Sequence, residues 1–331
     1  MTKCAVIGAG AWGTALADIL ARNGNDVRMW AYEWDVVESI NRAHQNRRFL
    51  SGCILHDNIE AFNDIGEALK GAELVAFATP SHVLRTIAKT AASDIASGVP
   101  VVIASKGIER DTLALMTDVA AEEIPQATVV ALSGPSFASE VVAQQPTAVV
   151  VASTDADAAL FSQQTFSSIH FRTYTHSDVT GVEIGGALKN VMAVATGIAE
   201  GLGLGFNARA ALITRGLAEM TRLGVKLGAE PATLAGLAGL GDLVLTCTGS
   251  LSRNRAVGLE VGRGHSLDSV LAGKDTVAEG VVTTRSAHAL ARRENVEMPI
   301  VDAVHKVLFE SQPARDAIGA LMARELRPET D

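Results

Sequence analysis

The run Gly8-Ala9-Gly10-Ala11-Trp12-Gly13 limits what this chain can fold into more than any other stretch of it. It follows Cys4-Ala5-Val6-Ile7, which reads as a buried strand, and it opens a helical stretch, Thr14 to Arg22, with Ala15 and Leu16 turned inward. In a strand-turn-helix setting each glycine has a separate task. Gly8 makes the tight turn, Gly10 lets a ligand approach the backbone, and Gly13 lets the helix lie close to the strand. The unpaired N–H groups of the first helical turn and the positive end of its dipole then favour a pyrophosphate.

The alternation begun there continues. Short apolar runs at residues 4–7, 26–30, 74–78, 99–104, 128–132 and 147–151 read as strands, several apolar on both faces as buried parallel strands are, with 169–174 as a short extension. From Ser177 onward these runs give way to apolar residues at helical spacing, and Ser177-Asp178 supplies an N-cap for a long helix to about Glu200. The expected fold class is therefore α/β: an N-terminal Rossmann-type domain over residues 1–176, with a doubly wound, mostly parallel sheet, and an all-helical domain over 177–331.

With 331 residues, 48% of them apolar and 20% charged, the chain can bury the cores of two domains and reads as globular. Its net charge of −9 and 4% aromatic content argue against a nucleic-acid partner, and they require any anionic ligand to have its own basic pocket. Cys4, Cys53 and Cys247 are too few and too scattered for a disulfide framework or a thiolate metal cage, so no metal is expected and a reducing, cytoplasmic compartment fits best. Met1-Thr2-Lys3 runs straight into the first strand, so no secretion signal is expected. The uninterrupted apolar runs fall short of the ~20 residues that span a bilayer, so no membrane span is expected.

Open α/β sheets bind ligands at the carboxyl ends of their strands. Three small or polar turns are expected at that edge: Thr79-Pro80-Ser81-His82, Ser105-Lys106-Gly107 and Ser133-Gly134-Pro135-Ser136-Phe137, with Lys106 adding a cation. Glu33, twenty residues past Gly13, suits hydrogen bonds from an adenosine ribose and favours NAD. Its competing role as a helix N-terminal carboxylate, the neighbouring Tyr32 and the nearby Arg28 keep NADP open.

In the long helix Lys189 has Gly185, Gly186, Ala193 and Thr196 on its own face. Two readings compete: a lysine emerging into a substrate groove, or glycines that serve close helix packing beside a lysine snorkelling to water. Further on, Ala238-Gly239-Leu240-Gly241-Asp242-Leu243 sets one carboxylate among small and apolar residues. Ser252-Arg253-Asn254-Arg255 then puts an N-cap, guanidinium groups and an amide where a helix begins, which suits a phosphate or, more plainly, a solvated helix start.

Along almost its whole length the sequence resembles the bacterial NAD(P)-dependent glycerol-3-phosphate dehydrogenases. The resemblance rests on Gly-Ala-Gly-Ala-Trp-Gly-Thr-Ala from Gly8, Pro-Ser-His from Pro80, Lys106-Gly107, Ser-Gly-Pro-Ser-Phe from Ser133, and Gly-Gly-Ala-Leu-Lys-Asn from Gly185. It continues through Asn-Ala-Arg-Ala-Ala-Leu-Ile-Thr-Arg-Gly-Leu from Asn207, Gly-Leu-Gly-Asp-Leu from Gly239 and Ser-Arg-Asn-Arg from Ser252. The one departure is Ser105 where the family usually has threonine, which keeps the hydroxyl.

The resemblance implies interconversion of dihydroxyacetone phosphate and sn-glycerol 3-phosphate, a precursor for glycerophospholipid synthesis, with NAD or NADP as cofactor and a homodimer as the assembly. It makes Lys189 the proton donor and acceptor, and puts Lys106, Gly134, Ser136, Asp242, Ser252, Arg253 and Asn254 around the phosphorylated substrate. Ala11, Trp12, Tyr32, Lys106, Ala138, Arg253, Val277 and Glu279 match cofactor positions beside Gly8, Gly10 and Gly13. The chemistry agrees, because reducing a ketone needs hydride at carbon and a proton at oxygen, and an ammonium can stabilise the alkoxide and donate that proton.

Overall fold

A computed structural model of the chain describes residues 1–273, 278–326 and 328–329. Strands β1 (Lys3–Ile7), β2 (Asp26–Trp30), β3 (Ile59–Phe62), β4 (Leu74–Phe77), β5 (Pro100–Ile103), β6 (Thr128–Ser133), β7 (Thr147–Ala152) and β8 (Phe171–His176) form one sheet in the order β3-β2-β1-β4-β5-β6-β7-β8. All neighbours are parallel except β6 and β7. The chain leaves β1 for β2 on one side and returns to β4 on the other, so the crevice between β1 and β4 is the topological switch point of the sheet.

Every strand read from the sequence is present, but β3 is an addition. Its four residues alternate, with Ile59 and Ala61 buried and Glu60 exposed, and it lies at the sheet edge, so it lacks the two-faced apolar run that marks β4. The first helix also begins earlier than expected: it spans Ala11–Arg22, so Ala11, Trp12 and Gly13 belong to its first turn. Leu16, Leu20 and Met29 fill the core on one face of the sheet, while Ile7, Phe77 and Leu84 fill the other.

Beyond β8 the chain is helical. Asp178 caps the helix Val179–Gly201 by accepting from the Gly181 N–H at 2.7 Å, and every residue from Gly181 to Ala199 is buried. A helix apolar on all sides has to be wrapped. The helices Phe206–Lys226, Asp242–Thr248, Arg253–Gly262 and Glu279–Arg293 wrap it, around a core that includes Leu188, Met192, Leu223 and Leu243. Arg253–Gly262 crosses at backbone contact, since a β-carbon on Gly197 would lie 2.1 Å from Arg255 O and one on Gly258 2.1 Å from Val194 O.

Two stretches, Val179–Gly201 and Pro231–Thr248, have the length and mean hydropathy of a membrane span. They pass on length and average composition although neither is an uninterrupted apolar run, because isolated polar residues break a run without lowering its average far. In Val179–Gly201 the apolar surface is taken up by neighbouring helices, with 94% of the window buried.

Candidate active site

The glycine turn takes the shape its sequence demands. Gly8 has φ +113°, and a β-carbon there would meet Ala78 O at 2.9 Å, while one on Gly13 would lie 1.9 Å from Gly8 O. Gly10 has nothing within 4 Å of its β-carbon position and opens towards the crevice. No side chain caps the first helix, so the amides of Ala11, Trp12 and Gly13 have no intrahelical or capping partner. The Trp12 indole N–H is buried with no partner among the described residues. Free donors around an open glycine fit a dinucleotide pyrophosphate.

Asn46, which the sequence reading passed over, is fully buried and holds this turn by donating to Ala9 O and Thr14 Oγ1, both at 2.8 Å. Tyr32 is exposed and meets Trp30 edge-on. Glu33 occupies the N-cap position of the helix Trp34–Ala43, so the helix N-terminal reading of its carboxylate holds in placement, although its side chain makes no capping bond.

The three polar turns converge at the carboxyl edge. Ser105 Oγ donates to Thr79 O at 2.6 Å, and the β-carbon position of Gly107 lies 2.5 Å from Ser81 Cβ. Ser81 donates its amide and hydroxyl to Glu279 at 3.1 and 2.6 Å, joining the sheet edge to the first turn of Glu279–Arg293. Burial raises the Glu279 carboxyl above its usual range, against the pull of the Ser81 bonds. Gly134, at φ +143°, leaves no room for a side chain against Val149, Ser136 Oγ donates to Gly134 O at 2.9 Å, and Ala138 opens the short helix Ala138–Val142. Val277 lies outside the described residues.

The centre of the site is a charge triad. Asp242 is 1% exposed; its Oδ1 accepts from Lys189 Nζ and its Oδ2 from Lys106 Nζ, each at 2.7 Å. Lys106 also donates to Gly134 O at 3.2 Å, and Lys189 to Thr246 Oγ1 at 3.0 Å. Thr246 in turn donates to Asp242 O, one turn behind it. Burial lowers the Lys189 pKa to about 8, with Asp242 opposing the fall and Lys106 adding to it. Burial also acts to raise the Asp242 carboxyl, but the two lysines outweigh it and hold it below its ordinary value.

At 8% exposure Lys189 does not snorkel to water, while the glycines beside it do serve close packing. Gly185 presses on Ala238, whose carbonyl would sit 2.5 Å from an added β-carbon, and a β-carbon on Gly239 would lie 2.0 Å from Leu234 O. These contacts seat one turn of π-helix, Leu237–Gly241, against the long helix and deliver Asp242 to Lys189. Thr246 was missed, although its position four residues after Asp242 on one helix face was a usable signal.

Beside the triad, Ser252 caps Arg253–Gly262 by accepting from the Arg255 N–H at 3.2 Å. Arg255 forks onto Glu200 at 2.8 and 2.9 Å and is a strut, whereas Arg253 is exposed with no hydrogen-bond partner among the described residues. Asn254 donates to Asn190 Oδ1 at 2.8 Å and accepts from the Gly280 N–H at 2.9 Å, so its amide has only one N–H left for a ligand.

A family model described as the NAD-dependent glycerol-3-phosphate dehydrogenase N-terminus matches residues 3–159, and one for the C-terminus of the same enzymes matches 178–319. The chain belongs to the NAD-dependent glycerol-3-phosphate dehydrogenase family. As a member it is an oxidoreductase that takes NAD or NADP. Glycerol-3-phosphate dehydrogenase [NAD(P)+] of Syntrophotalea carbinolica is 51% identical over 98% of this chain and 99% of its own length. The Geobacter sulfurreducens protein of the same name is 53% identical over 99% and 98%. Among solved structures, glycerol-3-phosphate dehydrogenase from Coxiella burnetii superimposes with a TM-score of 0.94 at 39% identity, covering 98% of this chain and 99% of that one.

Proposed function

We propose that this glycerol-3-phosphate dehydrogenase reversibly converts dihydroxyacetone phosphate into sn-glycerol 3-phosphate, a precursor for glycerophospholipids, with Lys189 as general acid and base. The observation that carries the reading is a buried lysine with a pKa near 8, clamped by a carboxylate whose other oxygen holds a second lysine. When bound, NADH or NADPH supplies the hydride for the carbonyl carbon.

In reduction the Lys189 ammonium hydrogen-bonds the ketone oxygen, stabilises charge as it develops there, donates its proton, and is reprotonated from solvent. In oxidation the neutral amine accepts the hydroxyl proton, and a pKa near 8 makes that form accessible at mildly alkaline pH. Asp242 keeps the Nζ atoms of Lys189 and Lys106 in place. Lys106, Gly134, Ser136, Ser252, Arg253 and Asn254 surround the substrate in this reading, with the exposed Arg253 and the N-terminus of Arg253–Gly262 taking the phosphate.

Gly8, Gly10 and the amides of Ala11, Trp12 and Gly13 hold the pyrophosphate, and Tyr32, Ala138 and Glu279 flank the cofactor. We place the domain joint between His176 and Ser177, and the working protein as a cytoplasmic homodimer. The deciding assay follows absorbance in the NADH band with dihydroxyacetone phosphate. Loss of that band on adding the ketone supports the dehydrogenase; cofactor binding without turnover would make the protein a redox sensor instead.

A further inference from the structure

Beside Lys106 a small cavity of about 10 Å3 lies between β5, β6 and the helix Val179–Gly201. Its polar lining comes from Ser105, Lys106, Ser133 and Glu183. Ser105 spends its hydroxyl on Thr79 O, but the buried Ser133 Oγ has no hydrogen-bond partner among the described residues. Glu183 accepts from the Thr117 amide at 2.9 Å and from the Thr117 hydroxyl, and so caps the helix Met116–Glu123 from across the joint. Each carboxyl oxygen keeps further bonding capacity. Gly186 makes the room: a β-carbon there would sit 2.6 Å from Ser133 Oγ and 3.5 Å from Lys106 Cγ and Cδ.

A pocket of this size, walled in part by polar groups and in part by Ile103, Leu132 and Val182, just admits one water, and such waters sit where buried polar groups lack partners. We propose that the cavity binds a single internal water joining Ser133 Oγ to the Glu183 carboxyl group, and that this bridge makes Ser133 and Glu183 positioning residues for Lys106. Ser133 ends β6 one residue before Gly134, whose carbonyl Lys106 grips, while Glu183 ties the long helix to Met116–Glu123, the first helix after the Lys106 turn. The bridge therefore joins the end of β6, beside the Gly134 carbonyl that Lys106 grips, to the long helix and, through Glu183, to Met116–Glu123. The effect on turnover rests on the substrate-holding role proposed for Lys106; the water does not.

A high-resolution crystal structure of the ligand-free protein tests the water directly. A peak within hydrogen-bond distance of both Ser133 Oγ and the Glu183 carboxyl is expected, and an empty cavity or a peak bonded to neither overturns the proposal. Ser133→Ala tests the consequence. The peak should disappear and the KM for dihydroxyacetone phosphate should rise about 3- to 10-fold with kcat within about two-fold, the change expected from losing one hydrogen bond that braces a binding group. Lys106→Met runs alongside as the reference. If it raises KM while Ser133→Ala leaves KM unchanged, the positioning role is wrong; if Lys106→Met itself leaves KM unchanged, the reading of Lys106 fails, and the density peak still decides the water.

Discussion

Replacing Asp242 by asparagine keeps the shape of the triad and removes its negative charge, which leaves two buried ammonium groups facing a neutral amide. Lys189 then loses the neighbour that most favours its charged form while Lys106 continues to repel it. An opposite charge at this range is worth ~1–3 pKa units, so the Lys189 pKa should fall from about 8 to roughly 5–7. Each unit corresponds to ~1.4 kcal/mol. The sign follows from proton counting: an unfolded lysine titrates near 10.5, so between the two pKa values the unfolded state binds more protons and stability rises with pH. In the wild type that rise starts near pH 8 and is worth roughly 3 kcal/mol; in Asp242→Asn it should start lower and be larger by ~1.4–4 kcal/mol. Urea unfolding at a series of pH values from 6 to 10 reads this, and the pH profile of sn-glycerol 3-phosphate oxidation reads the same shift as an alkaline-going limb displaced downward. Turnover should drop ~10²-fold or more, because the amine is then both misplaced and mistuned. A limb that stayed near pH 8 or moved upward, or a stability deficit that grew with pH, would refute the electrostatic account of the triad.

Lys189→Met should lower turnover ~10²-fold or more with cofactor affinity nearly unchanged, as measured by NADH titration calorimetry beside steady-state kinetics. Arg253→Ala should cut kcat/KM on dihydroxyacetone phosphate ~10- to 10²-fold and barely touch the poor rate on unphosphorylated dihydroxyacetone; equal losses on both would remove Arg253 as a phosphate ligand. Gly10→Val should abolish NADH and NADPH binding in a folded protein, since its side chain enters only the open crevice. Gly13→Ala should instead destabilise the fold, because its β-carbon meets Gly8 O at 1.9 Å, and circular dichroism melting separates the two.

The nucleotide-binding half was open to reading because its signals are local. A tight turn that needs φ > 0 at Gly8, a helix start without a cap, and strands apolar on both faces are properties of a few consecutive residues, and they carry the same meaning wherever the segment lies. Even there, β3 escaped: four alternating residues at an edge gain their strand character from pairing with β2, which lies far off in sequence. Ser252 as an N-cap and Asp178 at the head of the long helix were legible for the same local reason.

The charge triad depended on distance in space. Sequence singled out Lys106, Lys189 and Asp242 separately, yet the bonds that make them one device cross 136 and 53 residues of chain. Nothing near Lys189 in sequence says whether its ammonium ends in water or on a carboxylate. That was decided by how closely the π-turn could press on Gly185, and by burial that no single helix confers on its own residues. The chain's local chemistry thus determined the turns, the strands and the candidate groups, whereas only packing set the charge state of Lys189, because a pKa reports the dielectric and charges around a group and those come from remote segments.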